Sequence, residues 1–592
     1  MKENFKYMVQ NWIKWDSKSL IFFWVRVPAL VIQPIITAYI PKAMIDCIEN
    51  GVTVGRLTVV VALLSLVLTL TIWLDPFMKE LIRGSARIIR MRYAVEAFRK
   101  NLNADYALIE SLEGREIQKR AEDFYNARFS SGADFIEVCN NIAVCIVGVI
   151  ASSVLIYKIN IFMILLILLT CAGEFLLLKI LNKRLKETTD SISKFAAKLD
   201  YFYKLSKKSD AAKDIKLYGF KDFFIFAIAK IVRETEGVIA KYTRQNAAVS
   251  GTRAFLNLIR QFIAYAYLIY LVTVGRVSVS EFVFYFGIIT GFSNWIINLV
   301  VSYSKLERCC VDCGEFRKYI ERKSENSCED KADFGEIESI EFDNVSFTYP
   351  GSDKSTVKNM SFKVNKGENI AIVGENGAGK TTAVKLLCGL YRVSDGDIKI
   401  NGKSTRDFSN DSLFDLFSVV FQDYFFMPMT IAQNVCASTD YDREKLFKAF
   451  ENVGIAEKIK SLPDKENSLM LKDVYKNAVD FSGGEKQKLL LTKAIYKNAP
   501  ILILDEPTAA LDPIAENELY LKYNEMTDNK ISFFISHRLS STRFCDRIFF
   551  IKDGMIAENG THEELMALRG GYYRMYQTQS CYYKEMGVEL YE

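Results

Sequence analysis

The sequence predicts an all-α bundle of six membrane helices followed by an α/β domain with a mainly parallel sheet. Three observations predict it. Six long apolar stretches lie between Leu20 and about Lys305; short apolar strands alternate with helical segments after about residue 336; and a Gly374–Thr382 run of the form G-x-x-x-x-G-K-T sits where one such strand meets a helix.

A chain of 592 residues is too long for one core, since single hydrophobic cores stop growing at roughly 250–300 residues. The 50% hydrophobic content is high for a soluble chain and the 25% charged content is too high for one embedded throughout in lipid, so a membrane part joined to a soluble part fits both. The expected boundaries are 1–320 for the membrane domain, 321–336 for a polar linker, 337–580 for the α/β domain and 581–592 for a tail.

About 20 apolar residues at 1.5 Å each cross a bilayer core of roughly 30 Å. The spans are expected near 20–42, 57–77, 134–157, 159–181, 252–275 and 280–304. The segments after the second and fourth are long and basic, as in Lys79, Arg83, Arg87, Arg90, Arg92, Arg99 and Lys100, and again from Lys179 to Lys208. The excess of Lys and Arg places these loops inside. Both termini then lie in the cytoplasm, in keeping with a start that lacks a short apolar core and a small-residue cleavage site. Because the loops continue the helical period, the helices are expected to project from the membrane, with turns around Asp105–Glu116 and Ser209–Phe224 meeting the soluble domain.

Charges within or beside spans are expensive and should face a cavity or one another. Arg26 and Glu174 are expected to line a polar path, Asp75 to lie at a headgroup boundary beside Pro76, and Arg260 to interrupt the fifth span. The net charge of +5, set against 76 basic and 71 acidic residues, gives no electrostatic case for nucleic acid as a partner. The twelve cysteines are scattered and imply no disulfide scaffold. Cys309, Cys310, Cys313 and Cys328 read as structural thiols, because they do not offer four metal ligands at suitable spacing.

The chemistry is concentrated in the second half. The strand Asn369–Val373 runs into Gly374, Asn376, Gly377, Gly379, Lys380, Thr381 and Thr382, a phosphate-binding loop in its strand-to-helix context. Glycines let backbone N–H groups curl around phosphate oxygens, Lys380 reaches the terminal phosphates, and the Thr381 hydroxyl can ligate Mg²⁺. A second strand, Ile501–Leu504, delivers Asp505 and Glu506 at its carboxyl end, where one acid can hold Mg²⁺ and the other polarise an attacking water.

At these residues the domain resembles the nucleotide-binding domain of ATP-binding cassette (ABC) transporters. The whole chain resembles their exporter-type half-transporters, a six-helix membrane domain fused to an α/β P-loop NTPase domain. Phe481-Ser-Gly-Gly-Glu485 resembles the family signature Leu-Ser-Gly-Gly-Gln, with Phe for Leu and Glu for Gln. The resemblance implies that Ser482, Gly483, Gly484 and Glu485 meet nucleotide held by an opposite subunit. It implies further that Tyr349 stacks on adenine, that Gln422 touches Mg²⁺ and the attacking water, that Asp512 communicates between sites, and that His537 bonds the γ-phosphate. Glu506 is then the general base, and His562 is helix-start structure.

The expected cofactors are ATP and Mg²⁺. The expected partners are a second copy or a homologous half-transporter, membrane lipid, and a transported peptide or small molecule. The expected location is the cell membrane, multi-pass, with the nucleotide-binding domain cytoplasmic, and the expected activity is ATP-driven export of a peptide or amphipathic small molecule. Import on the same architecture is the alternative in direction. A soluble cassette ATPase acting on ribosomes or DNA would lack the spans, and a nucleotide-gated channel would conduct without stoichiometric turnover. No peptidase-like segment precedes the helices, so processing of a leader by this chain is not expected.

Overall fold

The computed structural model describes residues 1–126, 130–159, 161, 164–165, 168–170, 172–173, 195, 198–322, 334–507, 527, 529–537 and 539–585. The chain divides into two compact units: Met1–Lys100 with Glu116–Glu321, and Asn101–Arg115 with Arg322–Glu592.

The first unit is helical. Among the described residues, five of its helices are long and apolar enough to cross a membrane: Ser19–Glu49, Val54–Leu102, Ser131–Tyr157, Lys221–Thr273 and Val279–Glu321. The expected fourth span, with Glu174, lies largely outside the described residues. Three of the five run to about twice a bilayer's need or more, at 49, 53 and 43 residues. Their charged segments keep the helical period after the apolar stretch ends. Helix Ser19–Glu49 holds Pro28, Pro34 and Pro41, and Val54–Leu102 holds Pro76. Prolines are tolerated in membrane helices because neighbouring helices and local adjustment satisfy the freed backbone groups.

A short amphipathic helix, Lys2–Trp15, precedes them and buries Met8 and Trp12. The Trp12 indole donates to Ser19 Oγ at 2.6 Å, fixing the corner into the first long helix. Ser131–Tyr157 and Val279–Glu321 bury more residues than any other described helix of the unit, among them Ile136, Val144, Ile288 and Phe292.

Two of the charges in the spans face one another, one of the two arrangements expected. Arg26, expected to line a polar path, is 4% exposed. Its Nε donates to Asp75 Oδ1 at 2.7 Å and its Nη1 to Asn140 Oδ1 at 2.7 Å, while Asn140 Nδ2 donates to the Phe23 carbonyl at 3.1 Å. Asp75 is thus an ion-pair partner rather than a lone boundary charge, and three helices are joined through one guanidinium. The physical reason is that a buried charge is tolerated when paired and hydrogen-bonded. Arg260, 1% exposed, donates from Nη2 to Asn257 Oδ1 at 2.7 Å. Cys309, Cys310 and Cys313 are buried free thiols on Val279–Glu321, and Cys328 lies outside the described residues.

Among the described residues the second unit holds two sheets. The smaller is antiparallel in the order β2-β1-β4-β5, from β1 (Ser339–Phe347), β2 (Val357–Asn365), β4 (Asp395–Ile400) and β5 (Lys403–Ser404). The larger runs β10-β9-β3-β8-β7-β6, from β3 (Asn369–Gly374), β6 (Phe417–Val420), β7 (Ile501–Asp505), β8 (Ile531–Ile535), β9 (Arg547–Lys552) and β10 (Met555–Gly560). Its pairs are parallel except β10 on β9. Every residue of β7 and β8 is buried, which is why these strands read as continuous apolar runs rather than alternating ones.

A hydrophobic core between the sheets includes Ile340, Val364, Ile372, Leu387, Ile503 and Phe533. The excursion Asn101–Arg115 belongs to this unit. Its short helix Tyr106–Glu110 sets Tyr106 edge-on to Tyr391, centroids 5.5 Å apart, and Glu110 within 3.6 Å of Lys385 Nζ. The expected turn near Ser209 is grouped with the first unit.

Candidate functional site

The parallel register sets the site. β3 pairs with β8, β8 with β7 and β7 with β6, so the loops leaving their carboxyl ends gather along one edge. That edge of an open α/β sheet is where ligands bind.

The loop after β3 has its glycines for steric reasons. A Cβ at Gly374 would collide with the carbonyl oxygen of Ile551, and Gly379, at φ 104°, would place one 2.8 Å from the carbonyl of Thr356. Gly377 and Asn376 are exposed at the loop's tip. Helix Lys380–Leu387 follows directly, so its amino end faces the loop's cradle. Lys380 is 6% exposed and donates from Nζ to the carbonyls of Gly374 at 2.9 Å and Glu375 at 3.0 Å. Burial pushes its ammonium below the ordinary lysine value, against the pull of Glu506 and Asp505. Thr382 is buried, and its hydroxyl lies 3.0 Å from the Tyr349 hydroxyl. The half-buried Tyr349 ring packs edge-on to Phe347 and Tyr391.

Thr381 Oγ1 donates to Asp505 Oδ2 at 3.1 Å. Asp505 is 2% exposed, and its Oδ1 is buried with no hydrogen-bond partner among the described residues. Burial raises its carboxyl to about 6, opposed by the Thr381 bond and Lys380 and reinforced by Glu506 and Asp423. An unpartnered buried carboxylate oxygen beside a threonine hydroxyl fits a hard divalent cation bound by few protein ligands, the usual case for Mg²⁺. Among the described residues there is no all-protein cluster of His, Cys, Asp and Glu for a metal. Gln422 is exposed two residues past the end of β6, as Glu506 lies two residues past Leu504, the partner of Val420.

Glu506 has φ 51°, a left-handed conformation that costs a non-glycine residue of order 1 kcal/mol or more and that collects at functional sites. Its N–H donates to the Ile535 carbonyl at 3.0 Å, and its side-chain Oε1 lies 2.6 Å from His537 Nε2. Gln487 was not apparent from the sequence: 6% exposed, it donates from Nε2 to the Glu506 carbonyl at 3.3 Å. Its place one turn into the helix begun by the signature was the available signal.

The signature lies on a different hydrophobic cluster, in which Phe481 packs with Ile431, Met470 and Leu489. That apolar seat explains why Phe is accommodated at this position. Ser482 caps helix Gly483–Lys497: its Oγ accepts from Glu485 N–H, and Glu485 Oε2 accepts from Ser482 N–H at 2.8 Å. Glu485 Oε1 also lies 3.3 Å from Lys458 Nζ. The Ser482 backbone bond, ahead of Lys458, holds the Glu485 carboxyl below its ordinary value. The acid therefore closes a capping box and carries a cation partner, which offsets its charge near the helix start. Ser482 and Gly483 are exposed and Gly484 is half-buried.

The structure thus gathers Lys380, Thr381, Asp505, Glu506 and His537 at one sheet edge and carries Ser482–Glu485 on a separate helix start. Asp512 lies outside the described residues. His562 opens helix His562–Leu568, with its Nδ1 2.8 Å from the Tyr572 hydroxyl.

Residues 357–509 match the family model described as ABC transporter, a stretch that includes the phosphate loop, the signature and Asp505–Glu506, and that makes this an ATP-binding domain. The subtilin transport ATP-binding protein SpaT of Bacillus subtilis is 31% identical over 378 residues, 62% of this chain and 60% of that protein. An ATP-dependent lipid A-core flippase of Methylobacillus flagellatus is 31% identical over 368 residues, 62% and 61%. The nisin transport ATP-binding protein NisT of Lactococcus lactis is 28% identical over 386 residues, 63% and 62%. The matched part spans about three-fifths of each relative's length. A solved structure of a bacterial Atm1-family ABC exporter with ATP bound superposes with TM-score 0.77 at 21% identity, covering 97% of this chain and 99% of that one. The fold is that of an ABC exporter, a multi-pass helical domain followed by a nucleotide-binding domain.

Proposed function

From an ATP-binding domain joined to membrane-length helices in an exporter fold, we propose that this chain is a half-transporter that hydrolyses ATP to export a peptide or amphipathic small molecule. The observation that carries the reading is the 2.6 Å contact of His537 with Glu506, next to the Lys380 loop and the Thr381–Asp505 pair.

The Gly374–Thr382 loop binds the phosphates through backbone N–H groups, with Lys380 turning from the Gly374 and Glu375 carbonyls toward the terminal ones. Thr381, Asp505 and Gln422 would hold Mg²⁺, which neutralises charge on the phosphate oxygens when bound. Glu506 orients and polarises a water whose oxygen bonds to the γ-phosphorus as the bond to the β–γ bridging oxygen breaks. The water's proton passes to Glu506, and ADP and phosphate leave. His537, whose Nε2 lies against Glu506, turns that N–H to donate to the γ-phosphate.

Ser482–Glu485 then serve a second chain, either another copy or a homologous half-transporter. ATP bound across the two chains supplies the differential affinity for a closed state. A swing from 1:99 to 99:1 takes about 5.5 kcal/mol, which nucleotide held by two surfaces can provide and hydrolysis removes. The nucleotide-binding domain and both termini face the cytoplasm, in line with the basic run Lys79–Lys100.

A cavity of about 660 Å³ between Ser19–Glu49 and Val279–Glu321 is lined in part by Gln33, Thr37, Thr290, Asn294 and Asn298. Uncharged polar groups on membrane helices facing a cavity suit an amide-bearing or amphipathic cargo. Two relatives are named for subtilin and nisin transport and another as a lipid A-core flippase, which supports cargo of these classes. ATPase activity of the purified chain in lipid vesicles, stimulated by added peptide or lipid, tests the reading; no hydrolysis under any addition would defeat it.

A further inference from the structure

The C-terminal helix Gly571–Glu585 holds the backbone that carries His537. Where the chain leaves β8 at Ile535, His537 and Leu539 pass out of the sheet's hydrogen-bond ladder. Gln579 covers both: its Nε2 donates to the His537 carbonyl at 2.6 Å and its Oε1 accepts from the Leu539 N–H at 3.0 Å. One carboxamide thereby satisfies an acceptor and a donor two residues apart, which fixes the peptide planes around His537.

A second grip lies two helical turns earlier. Tyr572, fully buried, has its hydroxyl 2.8 Å from Thr542 Oγ1, and Thr542 Oγ1 donates to the Leu539 carbonyl at 2.7 Å. Since that bond uses the Thr542 hydrogen, Tyr572 donates to Thr542 and in turn accepts from His562 Nδ1, 2.8 Å away. Tyr572 and Gln579 are seven residues apart and so share one helix face. The helix holds the segment after β8 at both ends.

We propose that Gln579 is a positioning residue for ATP hydrolysis, setting the His537 imidazole against Glu506 through the His537 backbone. This rests on the roles given to Glu506 and His537 above. The 2.6 Å contact leaves little tolerance, and misplacement of a catalytic group by about 1 Å can cost on the order of 100-fold in rate. Gln579→Met keeps the side chain's length and removes both bonds. Gln579→Glu keeps the acceptor toward Leu539 and sets a carboxylate against the His537 carbonyl.

The test is steady-state ATP hydrolysis by the full chain in phosphatidylethanolamine–phosphatidylglycerol vesicles. Gln577→Met, on the exposed side of the same helix, is the control. Gln579→Met and Gln579→Glu are each expected to lower kcat about tenfold with KM for ATP held within about twofold, while Gln577→Met changes neither. Placed in a His537→Ala chain, Gln579→Met is expected to lower kcat no further, because the residue acts through His537. Unchanged kcat in both Gln579 variants would overturn the proposal. The same tenfold loss repeated in the His537→Ala chain would also overturn it, since the effect would then be general packing. A parent chain without ATPase activity overturns this proposal and the hydrolysis reading together, whereas wild-type kcat in the Gln579 variants of an active parent overturns this one alone.

Discussion

His537 Nε2 stands 2.6 Å from Glu506 Oε1, joining a residue just past β8 to one just past β7. The parallel register explains the meeting, because Asp505 pairs with Ile535 and the next residues of both strands emerge side by side. Glu506→Gln preserves shape and removes the base. It is expected to keep ATP binding while turnover falls by about two orders of magnitude or more, read by nucleotide affinity and phosphate release on the same sample. Near-normal phosphate release would take Glu506 out of the mechanism.

Lys380 is held ready by two carbonyls that a phosphate can replace. Lys380→Ala removes a charge-assisted contact of about 1.5 to 3 kcal/mol, so affinity for ATP should weaken at least about tenfold. Titration with a fluorescent nucleotide reads this, and an affinity within twofold of the parent would contradict it.

Asp505 is a buried carboxylate with one oxygen unpartnered among the described residues, and its folded-state value of about 6 lies above the ordinary aspartate value. Being raised, its ionisation costs the folded state: the full cost, at most roughly 3 kcal/mol, applies above pH 6 and is relieved as pH falls toward about 4. Asp505→Asn is therefore expected to raise the unfolding temperature of the nucleotide-free chain at pH 8, with the gain shrinking toward pH 5. With Mg²⁺ and ATP present the order should reverse. A lower unfolding temperature for nucleotide-free Asp505→Asn at pH 8 is the adverse result.

Arg26 joins Asp75 and Asn140, and removing the half-buried Asp75 carboxylate leaves the buried Arg26 charge uncompensated. Asp75→Ala is expected to destabilise the chain by roughly 3 kcal/mol, and Arg26→Met with Asp75→Ala by less than the two single losses combined. Thermal unfolding in detergent micelles measures it. An Asp75→Ala chain as stable as the parent would show the pair to be incidental.

The phosphate loop and the Asp505–Glu506 pair were legible in the sequence because each is a local pattern at the end of a strand. The membrane helices were legible as apolar stretches, and their projection beyond the membrane was legible in the helical period of the charged segments that follow: Val54–Leu102 runs 25 residues past the expected end of its span at Phe77. Partners far apart in the chain were not legible. Arg26 meets Asn140 across 114 positions, and Gln579 meets His537 across 42, through bonds to groups that composition and period do not register. Gln487 was hidden for the same reason: its partner is a backbone carbonyl, which every residue carries. The charge of Glu485, unusual for the signature, became intelligible only with Ser482 N–H and Lys458 placed around it.

The central claim is that the phosphate loop of one chain and the Ser482 signature of another complete a single ATP site. Lys380→Ala chains and Ser482→Arg chains, carrying different affinity tags and purified through both, form mixed pairs that contain one complete site. The direct measurement is the ATP retained per pair after rapid removal of free nucleotide, with Glu506→Gln present throughout to block turnover. The account predicts one tightly held ATP per mixed pair and none for either parent alone. Retention by Ser482→Arg pairs equal to that of unaltered signature pairs, or none by the mixed pairs, would contradict it.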